Sequence, residues 1–135
     1  MYAEYFQPYP NIFEPILRSQ SITTRRSQAF QAYEQHHYQQ AASLFSELLK
    51  EKKDVGALML RGNSNLILGN TEAAKQDFME ILNSFEDFDI QAKWYLSLCY
   101  LKNGDTAMAR DLLTEISGTE TPEGVQAVKL LKALD

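Results

Sequence analysis

The two histidines of this chain, His36 and His37, are adjacent, and they are the first residues to consider as a site of chemistry. A metal site or an acid/base pair would need both imidazoles to face the same point, together with further ligands or a partner. Neighbouring residues at the end of a helix diverge, and the sequence holds no other histidine. A turn therefore explains both side chains, and no metal site is expected there.

The remaining candidates for chemistry are one cysteine, a short acidic cluster and a pair of glycines. Cys99 lies among apolar neighbours without a nearby histidine, which favours a small core residue over a nucleophile. The acidic cluster at 86–89 lacks the alternation and the glycine of a calcium loop. No strand pattern precedes Gly62 and Gly69, as a phosphate-binding loop would require. The sequence thus predicts no catalytic, cofactor-binding or metal-binding residue, and we expect a protein that is not an enzyme.

Size and charge narrow the class further. The chain has 135 residues, enough for one domain with a real core. Its 13 basic and 18 acidic side chains give a net charge of −5, which argues against a nucleic-acid partner. It contains no run of about 18 apolar residues, so we expect no direct membrane insertion by this segment. The single cysteine leaves the cellular compartment open.

The first residues of the chain differ from the rest in composition. The segment EYFQPYPNIFEPI at 4–16 holds three of the four prolines, and these forbid a regular helix through most of it. It also carries four of the fifteen aromatic residues beside only two acidic ones, which is too apolar for a disordered tail. We expect an extended N-terminal arm at 1–21, of which 4–16 is ordered, mostly extended and packed on the helices.

Three later segments align with one another. Their sequences, starting at Ala29, Gly62 and Ser97, are AFQAYEQHHYQQAASLFSELL, GNSNLILGNTEAAKQDFMEIL and SLCYLKNGDTAMARDLLTEI. Aligned on the turn inside each, equivalent residues lie 33 and 35 positions apart. The equivalent residues are the turn positions His36, Gly69 and Gly104, then Ala41, Ala74 and Ala109, then Phe45, Phe78 and Leu113, then Leu48, Ile81 and Ile116.

This pattern resembles the tetratricopeptide repeat, a unit of about 34 residues that forms two antiparallel helices. Small residues at fixed positions let the two helices approach, and a large apolar residue fills the next gap. The resemblance implies an all-α fold: a right-handed α-α superhelix, or solenoid, of three helix pairs at about 22–54, 55–88 and 89–118. A last amphipathic stretch predicts a capping helix at 119–135, starting at Thr121 and Pro122.

The chain departs from the family pattern at a few positions. Arg25 and Gln28 in the first repeat, and Arg61 and Asn65 in the second, replace residues that are usually large and apolar. We expect Arg61 and Asn65 to find hydrogen-bond partners or to lie at the edge of a groove. His36 replaces the glycine of the first turn, so that turn is expected to be less tight.

The resemblance also implies a concave groove lined by the first helix of each pair. Its lining is mainly apolar, which suits an apolar or aromatic-rich peptide or an amphipathic helix. Met59 and Trp94 stand where a clamp for acidic peptides would carry basic residues, so such a clamp is not expected. The groove positions are Arg26, Phe30, Tyr33, Glu34, Met59, Asn63, Leu66, Ile67, Trp94, Leu98, Leu101 and Lys102.

Two functions follow from this groove. The first is a scaffold for protein-protein interaction that binds a partner peptide or helix in it. The alternative is a structural assembly element whose groove is occupied by its own or a neighbour's N-terminal arm. The sequence leaves open which applies, and whether copies of the chain form a homo-oligomer.

A wider resemblance rests on three phrases, YFQPYPNIFEPILRS, AKWYLSLCYLKNGD and VKLLKALD. They are similar to the C-terminal region of bacterial tetratricopeptide proteins that are membrane-anchored by a single span upstream. This resemblance implies an extracytoplasmic or periplasmic repeat domain tethered by the arm. Without a span upstream, the implied location is cytoplasmic.

Overall fold

A computed structural model describes residues 2–14 and 24–135. Over those ranges the protein is all-helical, with eight helices and no strand, which confirms the predicted all-α class. No helix in those ranges is long and apolar enough to cross a membrane. The helices are α1 (Tyr2–Tyr5), α2 (Arg25–Glu34), α3 (Tyr38–Glu51), α4 (Val55–Ile67), α5 (Thr71–Ser84), α6 (Asp89–Lys102), α7 (Thr106–Ile116) and α8 (Pro122–Leu134).

The chain divides into two compact units, with the division inside α5. We call Pro8–Asp77 the N-terminal unit, and Phe78–Asp135 together with Met1–Gln7 the C-terminal unit. In the N-terminal unit α3 packs against both α2 and α4. In the C-terminal unit α7 packs against α6 and α8, while α1 and α8 also contact α6. Helices adjacent in sequence are thus packed together inside each unit.

Side-chain caps fix where several helices begin. The Thr121 hydroxyl accepts a hydrogen bond from the Gly124 amide, and Pro122 follows as the first helical residue, which confirms the predicted start of α8. Asp54 caps α4 in the same way by accepting from the Ala57 amide at 3.0 Å. These short polar side chains satisfy amides that no helical carbonyl can reach.

The aligned repeat positions lie in the hydrophobic cores of the two units. Small residues let neighbouring helices approach, and the large residue four positions on fills the next gap. In the N-terminal unit, the rings of Phe30 on α2 and Phe45 on α3 meet edge to face, with centroids 5.0 Å apart. The repeat positions that are completely buried include Ala29, Ser97, Ala41, Ala74, Ala109, Phe45, Phe78 and Leu113.

The three equivalent turns share one geometry. His36, Gly69 and Gly104 all have positive φ, at 64°, 83° and 81°. After each, the next amide donates to the carbonyl five residues earlier, which satisfies the end of the helix. The expectation that His36 makes the first turn less tight is wrong, because His36 adopts the same left-handed conformation as the glycines.

Residues 2–5 contradict the expectation of an extended arm at their end of the chain. Tyr2–Tyr5 form a single helical turn, α1, so Glu4 and Tyr5 are helical. The physical reason is that the first proline is Pro8, which restricts only its own residue and the one before it. Residues 6–12 have no regular secondary structure. The rest of the predicted arm, at 15–21, lies outside the described residues.

Replacing His36 by glycine should stabilise the protein by about 0.5–1 kcal/mol, because a left-handed conformation costs a residue with a Cβ more than it costs glycine. The His36 ring also stacks on Tyr38 at 5.5 Å, and the substitution removes that contact. His36→Ala is therefore the control, since it removes the ring and keeps the strain. Urea denaturation should rank His36→Gly above His36→Ala, and equal midpoints for the two variants would contradict the assignment.

Candidate functional site

The backbone of the arm at Tyr9 forms hydrogen bonds through both its amide and its carbonyl. The Tyr9 amide donates to Asn63 Oδ1 at 3.0 Å, and the Tyr9 carbonyl accepts from the Tyr33 hydroxyl at 2.6 Å. Asn63 is fully buried on α4, and its Nδ2 donates to the Met59 carbonyl at 3.0 Å. That bond leaves Oδ1 as the acceptor for the arm. Both contacts recognise the peptide backbone, so they suit an extended segment whatever its side chain.

Phe13 lies where α4 lacks a side chain. A Cβ on Gly56 would be 2.8 Å from Phe13 Cγ, closer than carbon atoms approach in proteins. Gly56 is buried in the first turn of the helix, so this close approach accounts for a glycine at a helical position. The Phe13 ring also lies 6.4 Å from Phe30 and 6.1 Å from Tyr9, centroid to centroid.

Asn11 forms a turn that places Phe13 over Gly56. Its Oδ1 accepts from the amides of Phe13 and Glu14 at 3.1 and 3.0 Å, the pattern of an Asx turn. Its Nδ2 donates to the Glu14 carbonyl at 2.6 Å and to Glu34 Oε1 at 2.8 Å. The amide therefore holds the turn and also ties it to α2.

Arg26 on α2 joins the arm to the start of α4. Its Nε donates to Glu14 Oε2 at 2.8 Å, and its Nη1 donates to the Asp54 carboxylate that caps α4. The guanidinium also lies 4.6 Å from the centre of the Phe30 ring, a cation-π geometry. Arg26 thus contacts two carboxylates and one aromatic ring.

In the C-terminal unit the first residues of the arm lie on α6. The Tyr95 hydroxyl donates to the Gln7 carbonyl at 2.7 Å, and the Phe6 ring meets Tyr95 edge to face at 6.2 Å. The Tyr2 ring stacks on Phe6 at 5.5 Å and lies 4.7 Å from Lys102 Nζ. Burial raises the pKa of Tyr2 to about 12, so its hydroxyl stays neutral at physiological pH.

The structure brings about half of the predicted groove residues onto the arm. Ile67 is exposed, Leu101 is partly buried, and Met59, Leu66, Trp94 and Leu98 are buried in their own units. The arm's own rings at Tyr5, Phe6, Tyr9 and Phe13 are all partly buried, as expected of an ordered arm. The groove residues that contact it are Arg26, Phe30, Tyr33, Glu34, Asn63 and Lys102.

Sequence reasoning missed four residues that position the arm or its contacts, namely Asn11, Asp54, Gly56 and Tyr95. Two of them carried a readable signal. A glycine inside the apolar helical run VGALML costs stability unless something approaches it, and a tyrosine in a helix apolar on all sides needs a hydroxyl partner. Asn11 and Asp54 offered only the weaker preference of their residue types for turns and helix caps.

The residues first considered for chemistry take other roles. His36 stacks on Tyr38, His37 precedes α3, and Cys99 is buried in α6. Over 2–14 and 24–135, no three residues among the histidines, cysteines and acids come close enough to hold a metal ion.

Arg61 and Asp77 form an ion pair inside the N-terminal unit, which confirms the expectation that Arg61 finds partners. Nη2 and Nε of Arg61 contact the two Asp77 oxygens at 2.6 and 3.0 Å, and Nη1 donates to Ser46 Oγ at 3.1 Å. The carboxylate is almost fully buried. Burial raises the pKa of Asp77, and the hydrogen bonds and charge of Arg61 oppose that rise. Asn65, the other departure, accepts a long contact from Asn70 at 3.5 Å.

Comparisons of the chain with protein-family models, with curated proteins and with solved structures find no match. The resemblance to the tetratricopeptide repeat therefore rests on the aligned residues of this sequence.

Arg61→Met should destabilise the protein by about 3 kcal/mol at pH 7.5 and by clearly less at pH 4, because it leaves a buried carboxylate without its cation. Without Arg61, the pKa of Asp77 in the folded state rises further above its value in the unfolded chain. Stability is then lost as the pH rises through that folded-state pKa. Arg110→Met, which breaks the exposed pair with Asp135, is the control. Urea denaturation at both pH values checks this, and an equal loss at each would contradict it.

Gly56→Ala should release Phe13 and lower the free energy of unfolding by about 1 kcal/mol, because the lost aromatic burial of about 1.5–3 kcal/mol exceeds the roughly 0.5–1 kcal/mol that alanine gains in a helix. Hydrogen exchange should show faster exchange of the Tyr9 amide. Gly118→Ala is the matched control, because a Cβ there meets nothing within 4 Å. Unchanged protection at Tyr9 in the Gly56→Ala protein would show that the close approach does not hold the arm.

Proposed function

We propose that this chain is a protein-interaction module of the tetratricopeptide type that holds an extended polypeptide segment against α2 and α4. In the finer architecture of this proposal, the three helix pairs form a right-handed superhelix and α8 caps it. The segment in place in the structure is the chain's own arm. A partner protein would present a similar segment to the same residues.

The observation that carries the proposal is the recognition of the arm backbone at Tyr9. An extended peptide has an amide and a carbonyl at each residue that no secondary structure satisfies. Asn63 supplies the acceptor and Tyr33 supplies the donor for one such residue. Two side chains on different helices that converge on one residue of an irregular segment are suited to binding extended peptides in general.

The arm competes with any partner for this site. A ligand on a short tether has an effective concentration on the order of millimolar, so a partner must bind more tightly than the arm or must act when the arm is displaced. The alternative function, a structural element whose arm stays in place, is favoured by the close packing of Phe13 on Gly56. The two functions differ in whether a free site binds a segment from another molecule.

Selection of random displayed peptides on the full chain carrying Phe13→Ala tests the proposal. This variant weakens the arm and leaves α2 and α4 intact. The selected peptides should lose about fivefold to tenfold in affinity when Tyr33→Phe is added, because one hydrogen bond of about 1 kcal/mol is lost. Tyr38→Phe is the control, since it removes a tyrosine hydroxyl beside Tyr33 and leaves both hydrogen bonds to Tyr9 in place.

The result also separates the two functions. Peptides whose binding depends on Tyr33 support the interaction module. A loss of stability in the Phe13→Ala protein, without any peptide that depends on Tyr33, overturns the module and supports the structural element.

A further inference from the structure

We infer that the N-terminal unit selects a short motif, Asn-x-Phe-Glu, and that its partner is a protein with this motif in an exposed segment without regular secondary structure. The arm at 11–14 is the resident copy of the motif. The inference rests on the proposed function and adds the chemistry of the ligand to it. Three side-chain positions of the motif are recognised, and a fourth is free.

The aromatic position is recognised at Gly56 on α4, where the missing side chain leaves a notch for the ring. Phe13 lies directly over Gly56, and its ring is tilted by 52° against that of Phe30, with centroids 6.4 Å apart. A flat ring fills such a notch on a helix, whereas a small aliphatic side chain would leave part of it empty. This position therefore selects a large planar residue.

The asparagine position is recognised through both ends of its amide. Oδ1 of Asn11 accepts from two amides of the turn, while Nδ2 donates to the Glu14 carbonyl and to Glu34 Oε1. Aspartate would keep the turn but would lose both donors and place a second carboxylate beside Glu34. The site thus distinguishes asparagine from aspartate, which most turns do not.

The acidic position is recognised by charge, and the position before the aromatic is free. Glu14 pairs with Arg26, whose guanidinium also serves Asp54. Because these side chains are partly exposed, the pair contributes modestly and favours glutamate without requiring it. Ile12 is 60% exposed, so the site does not select the residue there.

The test uses a fluorescent peptide with the sequence QPYPNIFE and the full chain carrying Phe13→Ala, measured by fluorescence polarisation. We expect binding that weakens by at least about tenfold when the peptide carries Asn11→Asp or Phe13→Ala. The Ile12→Ala peptide should bind within about twofold of the native one. The wild-type chain should bind at least about tenfold more weakly, because its arm competes in cis.

Gly56→Ala in the same chain should also reduce binding by at least about tenfold, and circular dichroism checks that this protein is folded. The peptide variants test the motif even if it is not. Equal binding of the native, Asn11→Asp and Phe13→Ala peptides overturns the motif. So does a native peptide that fails to bind while selected peptides depend on Tyr33, and that result leaves the proposed function standing. Failure of both kinds of peptide overturns the motif and the proposed function together.

Discussion

The contact on which the arm of the N-terminal unit depends is the close approach of Phe13 to Gly56. A glycine inside a helix costs roughly 0.5–1 kcal/mol relative to alanine. Full burial of a phenylalanine side chain contributes about 1.5–3 kcal/mol, so even partial burial offsets that cost. This balance of free energies is favourable only if the free segment already resembles its bound conformation. The Asx turn at Asn11 and the stiff prolines before it lower the entropy that ordering the arm would otherwise cost.

The start of α4 and the end of the arm share their polar contacts. Asp54 caps the helix through the Ala57 amide and also binds Arg26, which in turn binds Glu14. Loss of Arg26 would therefore affect a helix cap as well as the arm. Departure of the arm would remove the Glu14 contact, while Asp54 keeps its hydrogen bond to the Ala57 amide. The arm and the cap of α4 are thus linked through one guanidinium.

The helices could be predicted from the sequence, whereas the location of the arm could not. The positions of Ala41, Ala74 and Ala109 recur at a fixed spacing, and the burial of all three follows from local periodicity. The arm is held by Asn63, a residue 54 positions away from Tyr9, and no periodic pattern encodes such a pairing. The groove positions that the resemblance implies include Tyr33 and Asn63 but not Gly56. The repeat pattern describes side chains, whereas the contact at Gly56 depends on the absence of one. The conformation of His36 was also missed, since a turn can be fixed by its hydrogen bonds without the preferred glycine.

The polar groups that hold the arm are of the kind that the proposed function needs, because that function requires an occupant that can exchange. A permanent core contact gains most from apolar surfaces, as between Phe30 and Phe45. The arm is held instead by tyrosine hydroxyls, from Tyr33 in one unit and from Tyr95 in the other, each donating to a backbone carbonyl of the arm. When the arm leaves, water can accept from the same hydroxyls, so the vacated site carries little desolvation cost. Under the proposed function, a partner residue of the same shape would take the place of Phe13 over Gly56.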